Sequence, residues 1–153
     1  MQTAYDLLRA HPFLAGLPEG QLRRMAMWSH RAAFHAGARI FNEGRPADRF
    51  WLILDGSVVV DANTPDQGIV DVDVIGPGSV LGWSWMTPPY RWHFGATARE
   101  DVLAVQLDGK GILRMCVDDP DLGFELTSRF AQVVIQRLHA TRRRQLRRTP
   151  EAV

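Results

Sequence analysis

Between His30 and Asp108 the chain never sustains a helical period. Short apolar runs at Arg31–His35, Arg39–Phe41 and Phe50–Leu54 are cut by Gly37, Gly44 and Pro46, and each is too short for anything but a strand. Asp55-Gly56 is a two-residue hairpin signal because a type I′ turn demands positive φ, and Ser57–Asp61 reads as the returning strand. Asn63–Gly68 turns the chain again. Beyond it Val70, Val72 and Val74 alternate with Asp71 and Asp73, which predicts one buried and one wet face up to Pro77-Gly78. Phe94–Arg99 and Val102–Leu107, joined at Glu100-Asp101, read as a last hairpin. Roughly eight short strands at regular spacing predict a mainly β sandwich or small barrel.

Helices flank this core. Tyr5, Leu7 and Leu8 lie in a first helix and Leu22, Met25, Ala26 and Trp28 in a second opened by Pro18, so residues 1–29 form an N-terminal helical segment before a core over 30–108. Residues 109–148 are helical again. Asp108-Gly109 starts one helix through Ile112, Leu113 and Met115; Asp118-Asp119-Pro120 then caps a long one, with Asp119 set to accept an amide hydrogen bond and Pro120 suited to the first turn. Leu122, Leu126, Phe130, Val133, Val134 and Leu138 recur every three or four residues along it as a single stripe.

A chain of 153 residues is one domain with enough volume for its own core. Cys116 is the sole cysteine, which excludes an intrachain disulfide or a thiolate metal cluster and fits a reduced, cytoplasmic setting. No apolar run approaches a membrane span, and the first residues lack a targeting pattern. The net charge of +1 hides a segregation: Arg137, Arg142, Arg143, Arg144, Arg147 and Arg148 crowd the end, leaving residues 1–136 acidic. Such a tail can meet nucleic acid, phospholipid or an acidic partner, or simply favour the helix dipole.

One window stands apart. Gly82 to Gly95 holds Trp83, Trp85, Tyr90, Trp92 and Phe94, with Pro88-Pro89 in its middle, so it is expected as a connection held over the sheet. The stretch from Gly37 to Val60, with Ile40-Phe41, Glu43, Gly44, Ala47-Asp48, Phe50 and Gly56, resembles the opening motif of the cyclic-nucleotide-binding domain family, to which catabolite activator protein and the kinase regulatory subunit belong. The resemblance runs to about Leu138 and implies an eight-stranded jelly roll. It further implies that residues 79–98 span the phosphate cassette and that the long helix pairs with its copy in a homodimer while lidding the pocket.

This sequence departs from the family where the ligand is held. The family's glutamate after the cassette glycine is Trp83 here, and aligning Gly95-Ala96 with the family's small pair puts Phe94 where its phosphate-binding arginine stands. Charge-assisted hydrogen bonds contribute about 1.5–3 kcal/mol each, so ordinary cyclic AMP binding is not expected. Arg91 could take over the phosphate if the loop is rearranged. The divergent cassette, Gly82, Trp83, Ser84, Arg91, Trp92, His93, Phe94, Ala96 and Thr97, either stacks a nucleotide-like or other small anionic ligand or packs on itself.

Other chemistry has little footing. His11, His30, His35, His93 and His139 are scattered without a His-x-His pair, so no metal constellation is expected. Ser84 and Thr97 show no paired base, and Cys116 beside Asp118 and Asp119 reads as a packed thiol. The chain ends too soon after the long helix for a helix-turn-helix, so sequence-specific DNA binding by this chain alone is not expected. The reading is a non-enzymatic regulatory or sensor module. The alternative is a ligand-free interaction subunit that docks on a larger enzyme, a redox enzyme among them, through its aromatic loop or arginine-rich tail.

Overall fold

The computed structural model of the protein describes residues 2–148, and side chains for residues 2–143. Helix α1 (Ala4–Ala10) opens with a reciprocal cap: Thr3 Oγ1 accepts the Asp6 amide at 3.1 Å and the Asp6 carboxylate accepts the Thr3 amide at 2.9 Å. A short 3-10 helix (Pro12–Leu14) and α2 (Glu19–Ala26) follow. The strands are β1 (Ser29–Phe34), β2 (Arg39–Phe41), β3 (Arg49–Asp55), β4 (Val58–Thr64), β5 (Gly68–Ile75), β6 (Val80–Leu81), β7 (Gly95–Ala98) and β8 (Val102–Asp108). Helices α3 (Gly109–Asp118) and α4 (Pro120–Arg148) close the chain. No described helix is long and apolar enough to cross a membrane.

The eight strands form two antiparallel four-stranded sheets, ordered β1-β8-β3-β6 and β2-β7-β4-β5. This corrects both expected hairpins. The Asp55-Gly56 turn carries the chain from β3 in one sheet to β4 in the other, and Glu100-Asp101 likewise carries it from β7 to β8. Gly56 does need positive φ (+84°), but turn chemistry fixes a backbone angle and not the partner of the next strand. The two crossovers touch, since a Cβ on Gly56 would fall 2.2 Å from the Asp101 carbonyl oxygen. The β4–β5 connection over Thr64–Gly68 is a true hairpin.

Strand β3 is apolar at every position from Phe50 to Ile53 because it serves two cores. Phe50 and Leu52 face the helices, joining Leu8, Met25, Leu107, Ile112, Leu122, Leu126 and Phe130; Trp51 and Ile53 face the inside of the roll with Val58, Leu81, Trp92 and Ala96. The alternation expected in β5 breaks. A bulge in the β4–β5 pairing at Val60/Asp61 shifts the phase, so Val74 is exposed while Asp73 is half-buried.

Helix α4 starts as expected, with Asp119 Oδ1 accepting the Leu122 amide at 3.3 Å and Pro120 in its first position. Its stripe divides. Leu122, Leu126 and Phe130, expected on the pairing face, are buried in the chain's own core, whereas Phe124, Val134, Ile135 and Leu138 are exposed on α4. Val133 packs at the edge of the core.

Candidate functional site

The connection from β6 to β7 is fixed by its tryptophans pulling in opposite directions. Trp85 turns toward the helices, stacked on Phe50 at 4.7 Å, and its indole N–H donates to the Gly82 carbonyl at 3.2 Å. Trp92 turns into the roll, stacked on Phe41 at 3.9 Å and near Trp51 at 5.9 Å. Gly82 makes this possible: its φ is +94°, and a Cβ there would lie 2.9 Å from the Trp92 ring. Between the two indoles the chain is stitched to the β2–β3 loop, the Trp92 amide donating to the Arg45 carbonyl at 2.9 Å and the Ala47 amide to the Tyr90 carbonyl at 2.7 Å.

Under the connection lies the cavity where the cassette faces the roll. Phe41, Trp83, Trp92 and Phe94 supply its aromatic walls, with Val60, Leu81, Gly82 and Ser84 completing them, and they leave about 20 Å³. Small-ligand pockets run to several hundred Å³, so the side chains themselves fill this one. Trp83 meets Phe94 edge-on at 6.2 Å. Ser84 Oγ is committed to His93, accepting its amide at 3.3 Å and lying 2.9 Å from Nδ1.

The remaining wall comes from α4. Arg137 places its guanidinium 4.8 Å from the Trp83 ring centroid, donates from Nη2 to the Val80 carbonyl at 2.5 Å, and holds Nε 3.9 Å from Asp73 Oδ2. Its side chain is only 18% exposed, and burial pushes its pKa below the usual arginine range, with Asp73 opposing that shift. Sequence reasoning grouped Arg137 with the basic tail and put Leu138 on the inner stripe. The signal was present, because Leu126, Phe130, Val133 and Arg137 continue the same spacing and an arginine stem can cover apolar surface while its head finds polar partners.

Of the expected cassette residues, Gly82, Trp83, Ser84, Trp92 and Phe94 wall this cavity together. Arg91 does not join them. Its exposed side chain donates from Nη1 to the Gly44 carbonyl at 2.9 Å on the outer side of the loop, because the backbone pairing of Pro46 with Arg91 aims it away from the roll. His93 is exposed and lines no part of the cavity. Ala96 is fully buried in β7, and the Thr97 hydroxyl lies 2.9 Å from Arg39 Nη1. Cys116 is half-buried, with burial and then Asp119 raising its pKa, and among the described residues no His, Cys, Asp and Glu group is placed to hold a metal ion. Arg142 and Arg143 are exposed, while the side chains of Arg144, Arg147 and Arg148 lie outside the described set.

Known proteins of similar sequence and structure bear on this arrangement. The chain is 28% identical over 108 residues to a CRP-like cAMP-activated global transcriptional regulator of Mycobacterium tuberculosis, which covers 71% of this chain and 46% of the relative. It thus spans about half the length of that curated relative. A solved Geobacter metallireducens protein assigned to cyclic nucleotide binding shares 29% identity at a TM-score of 0.79, covering 91% of this chain and all of the other. The sensor domain of the transcriptional regulator DNR from Pseudomonas aeruginosa has the same fold, with a TM-score of 0.70 at 22% identity over 87% of this chain and 89% of that one. The sequence profile of the cyclic nucleotide-binding domain matches residues 31–119, more than half of the sequence, and the chain belongs to that family.

Proposed function

We propose that the chain is a non-enzymatic regulatory module whose cyclic-nucleotide-type cassette is closed on itself and does not take cyclic AMP in the family's usual way. The observation that carries this reading is the cavity of about 20 Å³, walled by Trp83 and Phe94 and lidded by Arg137. A cyclic phosphate needs a cation at the floor of its site and a ribose needs a carboxylate, and the family's two positions for them hold Phe94 and Trp83. The relatives are regulators and sensor domains by name, which supports a regulatory role over catalysis.

The reading includes a homodimer. Phe124, Ile135 and Leu138 leave apolar side chains exposed along α4, which suits pairing with a second α4. Docking on a larger enzyme through the aromatic loop draws less support, because Trp85 and Trp92 are buried and Tyr90 is the exposed ring of the loop.

The test is a calorimetric and thermal-shift titration with cyclic AMP, cyclic GMP and cyclic dinucleotides, repeated on Arg137→Ala. No saturable binding that Arg137→Ala alters is expected at millimolar ligand. Saturable binding of any of these to the wild-type chain with an affinity that changes in Arg137→Ala would overturn the closed-cassette reading.

A further inference from the structure

We infer that the outer side of the cassette loop is a binding site for a small organic phosphate. There the Pro89–Arg91 turn, the Pro46–Asp48 segment and the start of α3 enclose a cavity of about 390 Å³. That is room for a small ligand, unlike the inner cavity. The inference does not depend on the inner cavity being closed.

Its chemistry is that of a cationic rim over an apolar floor. Trp85, Ala47 and Leu113 line the bottom, and Tyr90, Arg91 and Lys110 stand around the mouth. Lys110 is the sole lysine beside seventeen arginines. Neither Arg91 nor Lys110 forms a salt bridge among the described residues; the one carboxylate on the wall, Asp48, is held by Arg49 at 2.8 Å, and Arg49 first and Lys110 more weakly lower its pKa. With Arg49 pairing that acid, Arg91 and Lys110 leave the cavity a net positive rim.

The loop is set before any ligand arrives. The Tyr90 amide donates to the Thr87 carbonyl at 2.9 Å, its carbonyl accepts the Ala47 amide, and Arg91 is anchored by one N–H on Gly44, leaving other donors of its fork for a ligand. Two of the amides that begin α3 are already used, Gly109 by the Asp48 carbonyl at 2.7 Å and Gly111 by the Asp108 carboxylate at 3.1 Å, so recognition rests chiefly on side chains. Cations approaching from two elements suit a dianionic tetrahedral phosphate better than a single carboxylate, which one guanidinium fork would satisfy. The Tyr90 ring and the apolar floor suit a flat organic body attached to it. A phosphate held by Arg91 and Lys110 together would tie the cassette loop to α3 and, through it, to α4.

The experiment is calorimetric titration of the intact protein with adenosine 5′-monophosphate and phenyl phosphate, with adenosine as the uncharged control. Saturable millimolar or tighter binding is expected for at least one phosphate and none for adenosine. Arg91→Gln and Lys110→Gln should each weaken binding at least about tenfold, since each removes a charge-assisted hydrogen bond. Unchanged melting temperatures would confirm that the two exposed substitutions leave the fold intact. Arg137→Ala should leave this affinity unchanged, which separates the outer site from the inner cavity. Absence of saturable binding by both phosphates, or binding indifferent to Lys110→Gln, would overturn the inference.

Discussion

Arg137 on α4 and Trp83 in the cassette meet as cation and ring, 4.8 Å from guanidinium to centroid. The long helix is thus latched to the roll by a buried charge at the mouth of the cassette.

The latch predicts an asymmetric response to substitution. Arg137→Ala should lower stability by about 1–3 kcal/mol, through loss of the ring contact and the Val80 hydrogen bond. Arg137→Met keeps most of the stem's volume and removes the cost of burying a charge, so it should be the milder change. Urea denaturation of the two variants, side by side, checks the order.

Gly82 and Gly37 separate backbone strain from collision. Both have positive φ, +94° and +88°, but a Cβ on Gly37 meets nothing within 4 Å, whereas one on Gly82 meets the Trp92 ring at 2.9 Å. Gly37→Ala should cost about 1–2 kcal/mol from the left-handed backbone alone. Gly82→Ala should cost about 1–3 kcal/mol more by displacing Trp92. Equal losses would mean that Trp92 yields freely.

His11 makes stability depend on pH in a definite direction. It is buried, Nε2 lies 3.1 Å from the Ile53 carbonyl and Nδ1 accepts the Phe13 amide at 3.2 Å, so the neutral Nε2–H tautomer satisfies both partners. Burial lowers its pKa below the ordinary 6.5 and the Ile53 bond only partly opposes this. Unfolding then takes up a proton below about pH 6.5, so stability falls as the pH drops through that region toward the folded pKa. Asp6, Asp48 and Asp119, all depressed below 3.8 by their hydrogen-bond partners, act only in stronger acid. Urea midpoints between pH 7.5 and 5 should decline, and His11→Gln should flatten the decline.

The two faces of α4 should respond differently. Light scattering is expected to give twice the 17.2 kDa chain mass, and Ile135→Asp or Leu138→Asp should halve it while leaving the fold intact. Leu126→Ala, on the inward face, should instead cost about 2–5 kcal/mol of chain stability by opening a core cavity.

The strands, caps and family motif are legible because they rest on local rules: glycines where φ must be positive, Asp119 before Pro120, short apolar runs cut by turn residues. Where strands pair is not local. Asp55-Gly56 has the same chemistry whether the chain turns back in its own sheet or crosses to the other, so both hairpin expectations fail on topology; the chain does turn at both places, but with positive φ at Gly56 and not at Asp55 the first is not the expected type I′ turn. The aromatic walls of the cassette, Trp83 and Phe94 among them, are readable from composition. The direction of Arg91 is not, since it depends on the Pro46 pairing across the loop. Arg137 went unnoticed because charge was read as solvent-facing, although its position continued the inner stripe.

The pairing of β1 with β8, from Ser29 opposite Leu107 to Phe34 opposite Val102, sets the order in which the molecule can be made. The first strand to leave the ribosome waits for the last before either of its edges is hydrogen-bonded, and β3 waits for the same strand. A nascent chain that has not yet reached Val102 therefore carries an unpaired β1 and one bare edge on the apolar β3. Its greatest exposure to aggregation falls during synthesis, and β8 is the piece that ends it.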